Sequence, residues 1–226
     1  MKKLLARAKA FYKKDRYRDA LPIAKQVLAM DRDNDEALFI LAHSLYHAGK
    51  FRQSLRYWKQ LQKIKPNEPS LHLNMGACYD DLGQSDLAIK HFKRELELDP
   101  VYGKALYNLG SLYYRARKPK LAVNYLERCY SQKHSVEAVI CKLAWCYFKT
   151  GQLEKEQILY EEYLQTDPND TWALNNLGSH LMGQGEYYRA LLRLKKAARL
   201  DPSDKLVAKN IRKAEREIKK IQTSPK

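Results

Sequence analysis

Long apolar runs are missing from this chain. No stretch of about 18 apolar residues occurs, which argues against a helical membrane span. Glycine and proline are scarce, at 9 and 8 of 226 residues, too few for a collagen or a loop-dominated all-β protein. The 4 cysteines form no C-x-x-C pair. They make a poor disulfide scaffold and predict a reduced compartment, the cytoplasm. The first residues, MKKLLARAKAFYKKDRYRDA, have no unbroken apolar segment, so they read as a charged helix rather than a signal peptide. Acid is also in short supply, with 26 Asp and Glu against 42 Lys and Arg and a formal charge of +16. What remains is 45% hydrophobic, too much for a disordered chain and enough for a substantial core. Tyrosine is the abundant ring, at 16 beside 5 Phe and 3 Trp.

The chain repeats itself. Gly49 and Gly83 are spaced like Gly151 and Gly185, and Pro66 and Pro100 like Pro168 and Pro202. A small residue recurs at Ala8, Ala42, Gly76, Gly110, Ala144 and Gly178 without a gap. This period divides the chain into units 1–34, 35–68, 69–102, 103–136, 137–170 and 171–204, followed by a tail, 205–226. Each unit reads as two helices. In the sixth, Leu174, Leu177, Gly178 and Leu181 form one helical stripe, Gly185 ends the helix, and Ala190, Leu194 and Ala197 face inward from the second. The tail repeats Val207, Ile211, Ala214, Ile218 and Ile221 between basic residues, the pattern of an amphipathic capping helix before a short free end.

The chain resembles the tetratricopeptide repeat (TPR) family. The residues that carry the resemblance include Ile140, Leu143, Ala144, Tyr147, Gly151, Tyr160 and Pro168 of the fifth unit. Met75, Gly76, Tyr79, Gly83, Ala88, Phe92 and Pro100 repeat the pattern in the third. The register runs unbroken through about nine-tenths of the chain. Departures are local. Asp15 and Arg117 replace the turn glycine, Arg32 and His134 replace the proline, and Pro119 enters the second helix of the fourth unit. The fourth turn is therefore expected to be looser than the others. The resemblance implies an all-α, right-handed superhelical solenoid of six helix-turn-helix repeats plus the capping helix.

It also implies a concave groove lined by the first helices. Counting along the units places Asn74, Asn108 and Asn176 at one groove phase, with Lys142 interrupting the row. An amide both donates and accepts, so a ladder of them suits a peptide backbone. Similar asparagine ladders in the family hold peptides. Tyr46, Tyr107, Tyr114, Trp145, Phe148 and Trp172 add rigid contact area, and Lys104 begins its unit on the same side. Asn175 and Ser179 also count into the lining. Tyr79, Tyr113, Tyr147 and Phe11 fall instead at a core phase. The clamp with which some family members grip a chaperone carboxylate is poorly matched. Its best window offers Phe39, His43, Asn74, Lys104 and Asn108, and three of the five do not fit.

Positive charge concentrates in the first unit, the fourth unit and the tail. It favours an acidic protein partner or an anionic surface at the cytosolic face of a membrane over nucleic acid, for which no reading motif is present. The unpaired first helix also leaves a homo-oligomer open. Cys78, Cys129 and Cys146 read as small buried residues and Cys141 as groove-facing. His43 and His47 lie four apart on one helix, with Asp80 and Asp81 on the next first helix, a weak candidate zinc set. No catalytic constellation and no phosphate loop is evident. No cofactor and no enzymatic activity are expected. The sequence predicts a non-catalytic scaffold or adaptor that holds a peptide or helix of a partner. The alternatives are an assembly scaffold on a membrane or organelle, of the pilus-assembly or magnetosome kind, and a basic nucleic-acid-binding repeat protein.

Overall fold

A computed structural model describes residues 1–132 and 136–223. The replacement of a repeat proline by His134 lies outside them. The described residues form thirteen α-helices and no strand. They divide into two compact units, Met1–Ser135 and Val136–Lys226.

The first unit holds α1 (Lys2–Tyr12), α2 (Tyr17–Met30), α3 (Asp35–His47), α4 (Phe51–Ile64), α5 (Leu71–Asp81), α6 (Ser85–Leu98), α7 (Gly103–Arg115) and α8 (Pro119–Ser131). Consecutive helices pack as antiparallel hairpins. Their core is built by the repeating apolar positions, including Leu38, Leu41, Trp58, Met75, Phe92, Leu106, Leu109 and Leu126, all nearly inaccessible to water. Small residues set the spacing of each pair. A Cβ on Gly110 would lie 2.7 Å from the Leu126 side chain, and one on Gly76 would lie 2.6 Å from the Phe92 ring, so only glycine permits this approach.

The hairpin turn needs one residue in the left-handed region, and Gly49 and Gly83 supply it. Asp15 and Arg117 adopt the same conformation, with φ of 54° and 55°. The expected looser fourth turn is not found. Lys118 N–H reaches the Tyr113 carbonyl at 2.9 Å, matching the 2.9 Å bond from Lys50 N–H to Leu45 in the glycine-turned second repeat. The bonds of the turn hold a non-glycine residue in place despite its unfavourable φ. Pro119 opens α8 at a position where its missing N–H costs nothing.

Two helix starts of this unit are capped by different means. Asn34 caps α3 through a bond from Ala37 N–H to its side-chain oxygen, 3.1 Å long. α5 follows Ser70 at φ 64°, whose side chain caps nothing. Glu95 of α6 takes over, accepting the N–H groups of Ser70 at 3.1 Å and Leu73 at 2.9 Å. Glu95 is buried, and that burial raises its pKa against the lowering pull of these bonds.

The second unit holds α9 (Val136–Thr150), α10 (Leu153–Thr166), α11 (Thr171–Gly183), α12 (Tyr187–Leu200) and α13 (Lys205–Thr223). Asp170 caps α11 by accepting the Ala173 N–H at 2.6 Å. α13 closes the apolar face of the last hairpin, with Val207 packed against Leu174 and Ala197. Ala214 and Ile218 continue that buried stripe, but Ile221, expected to belong to it, is exposed. The helix end is held at that level by Gln222, which donates to the Tyr188 hydroxyl at 3.1 Å.

Candidate functional site

In the first unit, the first helices present the positions counted as groove lining. Asn74 and Asn108 are half-buried, and neither amide has a hydrogen-bond partner among the described residues. Tyr107 and Tyr114 are half-buried and Lys104 is exposed. Tyr46 is half-buried and bonds to the Asp81 carboxylate; burial and this bond push its phenol pKa up.

The start of this unit is an aromatic and imidazole cluster. Tyr17 stacks on His47 with ring centres 4.0 Å apart, and Tyr12 meets His43 edge-on at 5.2 Å. Phe39 stacks on His43 and stands edge-on over buried Trp58. Burial, then the neighbouring His47, lowers the His43 pKa to about 4, so this ring is neutral at ordinary pH. Beside the cluster lies a cavity of 410 Å³ lined by Lys9, Tyr12, Phe39, Ile40, Leu61 and Lys65 among others. Two of its three lysines are matched by acid: Lys9 pairs with Glu36 at 2.5 Å and Lys65 with Asp35.

The weak zinc set is not assembled. His43 and His47 are absorbed in ring packing, Asp81 accepts from Tyr46, and Asp80 pairs with Arg115 of α7. Among the described residues no group of three metal-ligating side chains comes together. Helical spacing placed the imidazoles on one face, but their stacking on Tyr12 and Tyr17 decides what they do there.

In the second unit, Trp145 is half-buried, and Phe148 is exposed at 57% and Trp172 at 40%. Lys149 reaches over both the Trp145 and Phe148 rings, at 5.9 and 5.4 Å. Tyr160 meets Trp172 edge-on at 5.8 Å, and that indole borders a cavity of 160 Å³ with Ile140, Cys141, Tyr163 and Asp170. Cys141 is exposed, and Cys78, Cys129 and Cys146 are buried thiols outside any disulfide. Lys142 folds back so that its ammonium donates to the Ala138 carbonyl at 3.2 Å. Asn176 does likewise, its amide donating to Trp172 O at 2.8 Å, so one of its two N–H bonds is used within its own helix.

Asn175 and Ser179, also counted as lining, are covered. Asn210 of α13 donates to Asn175 Oδ1 at 2.9 Å and to Ser179 Oγ at 3.1 Å, and Asn175 is buried. The capping helix therefore occupies those positions of the last repeat. Asn210 was missed because it lies outside the repeat. A polar residue inside the apolar stripe of α13 is the only sign of it in the sequence.

This architecture defines a helical-repeat scaffold in which each hairpin displays one helix face and buries the other. Tetratricopeptide repeat models match residues 73–133 and 138–170, and a model of subunit 3 of the anaphase-promoting complex, or cyclosome, matches residues 13–95. The chain is a tetratricopeptide repeat protein. It is 24% identical to the DnaJ homolog subfamily C member 7 homolog of Schizosaccharomyces pombe, over 91% of this chain and 40% of that protein. It spans 40% or less of the length of the curated relatives it matches. Among solved structures, MamA superposes with a TM-score of 0.65 at 25% identity, covering 74% of this chain and 92% of that one. YrrB, described as a TPR protein with an unusual peptide-binding site, superposes with a TM-score of 0.69 at 19% identity, covering 82% and 96%. No helix among the described residues is long and apolar enough to cross a membrane.

Proposed function

We propose that the chain is a non-catalytic scaffold that holds an extended peptide or a helix of a partner protein along its first helices. The observation that carries this reading is the pair of unbonded amides, Asn74 and Asn108, one repeat apart on α5 and α7. A half-buried amide with unused donors and acceptors gains by pairing with a peptide backbone. Tyr107 and Tyr114 flank Asn108 on the same helix, and exposed Lys104 favours acidic residues in the bound segment. In the second unit, Phe148 and Trp172 are anchors for apolar side chains. YrrB, a structural neighbour that carries a peptide-binding site in its description, supports the same class of function.

The test is capture of partners from native lysate, followed by titration of the captured protein. Asn74→Ala with Asn108→Ala is expected to weaken binding about tenfold while helicity is retained. Phe148→Ala with Trp172→Ala is expected to weaken it at least as much. Unchanged affinity in both double variants would remove the first helices from partner binding.

A further inference from the structure

The second helices of the first unit carry a cationic surface that the reading above does not use. Two open clefts meet on it and share one residue, Arg56. The first, of 510 Å³, is lined by Lys25, Arg32 and Arg56 with Gln60, Tyr57 and exposed Ala29, and half-buried Leu28 and buried Leu41 lie beneath. The second, of 440 Å³, has Arg52, Arg56 and Lys59 with Gln84 at its rim, and Leu55, Leu82 and the Tyr79 ring beneath. No carboxylate lines either one.

The five cations join others of this unit that are unpaired among the described residues, such as Lys13, Lys63 and Lys90, but gather around two clefts. Lys9, Arg16, Lys65, Arg94 and Arg115 each pair with Asp or Glu. Lys25, Arg32, Arg52, Arg56 and Lys59 make no ion pair among the described residues. Lys59 lies over the Tyr79 ring, at 5.8 Å. The nearest acid to the first cleft that bonds one of its residues is Asp33, which accepts weakly from Gln60 at 3.3 Å. Five unneutralised charges held close together repel one another, and an anionic ligand relieves that cost.

We infer that these paired clefts bind a partner segment in which acidic residues alternate with apolar ones. The rim and the floor together select this occupant. Three of the five cations are arginines, whose planar forks accept a carboxylate bidentately. The second cleft is lined mainly by apolar surface and the first carries the Leu28 side chain among polar ones, and a bare polyanion such as a nucleic-acid backbone leaves these apolar surfaces unfilled. Two clefts joined at Arg56 fit a chain that places one apolar side chain in each, with carboxylates against the rims. The site lies on residues other than those proposed to hold the first ligand, so it does not rest on that reading.

The experiment is fluorescence anisotropy on the full chain with a labelled dodecapeptide made of Glu-Asp-Leu repeats. Saturable binding is expected, and Arg56→Gln, at an exposed position, is expected to weaken it about tenfold with unchanged helicity. Lys209→Gln with Lys213→Gln, on α13, removes more charge and is expected to change affinity less than twofold. Replacing the leucines of the probe by serine is expected to weaken binding several-fold. Asn108→Ala should leave it unaltered, which separates this surface from the first helices. Absence of saturable binding, an equal loss in the α13 variant, or equal affinity for the serine probe would overturn the inference. So would an oligo-dT of the same charge that binds as tightly and with the same dependence on Arg56.

Discussion

Both units carry rings on their first helices, and Phe148 stands at the repeat position of Tyr12 and Tyr46, yet the rings are used differently. In the first unit Tyr12, Tyr17, Phe39, His43 and His47 close on one another, and Trp58 lies wholly beneath Phe39. In the second, Phe148 and Trp172 remain largely open to solvent, with one lysine and one tyrosine as their ring neighbours. Repeat phase thus places Phe148 where Tyr12 and Tyr46 stand, whereas Trp172 occupies a phase held by Glu36 and Lys104 in the first unit. Whether the ring becomes structure or a contact surface depends on which neighbours reach it first.

The sharpest way to break this comparison is to truncate one ring in each unit. Trp58→Ala is expected to destabilise the chain by about 3–5 kcal/mol, because it empties a closed core position. Trp172→Ala is expected to cost below about 1 kcal/mol. Urea unfolding followed by circular dichroism checks both, and equal losses would erase the distinction between packed and presented rings.

Acid provides the next test. Burial lowers the pKa of both His43 and His91 to about 4, below the ordinary value of 6.5. The His91 ring also shares a 3.0 Å contact with His72, which a second proton would disrupt. The unfolded chain thus binds protons that the folded chain resists, so stability falls as pH drops from about 6.5 towards 4. Buried Glu95 and Glu156 shift upward and act in the opposite sense. The measurement is therefore the difference between the parent chain and His43→Asn with His91→Asn across that window. The double variant is expected to lose less stability on acidification, and parallel curves would contradict it.

The smallest effect concerns the turns. Arg117 occupies the left-handed region that glycine fills elsewhere, so Arg117→Gly is expected to stabilise by about 0.5–1 kcal/mol. Asp15→Gly is expected to gain less, because Asp15 accepts a 2.5 Å hydrogen bond from Tyr17 and aspartate tolerates that conformation. Thermal melts of the two variants compare them directly.

The helices, their pairing and the core were legible in the sequence, because period, small residues and turn residues act locally and recur. Tyr79, Tyr113 and Tyr147 are buried as their phase requires, and Phe11 is half-buried. The surfaces were less legible. Nothing in the spacing of His43, His47, Asp80 and Asp81 told that Tyr17, Tyr46 and Arg115 would engage them. Nothing in the third unit announced that α5 would be capped from Glu95, twenty-two positions after the Leu73 N–H it receives.

The amino-acid order by itself determined a helical repeat, the faces its helices bury and the residues that turn them, since these follow from backbone geometry and apolar periodicity. Only the folded arrangement decided which polar groups found partners: Asn175 meets Asn210, whereas among the described residues Asn74 and Asn108 keep their amides unbonded and Arg56 stands without an acid. Those outcomes depend on distances between side chains from different helices, and helical periodicity does not specify them.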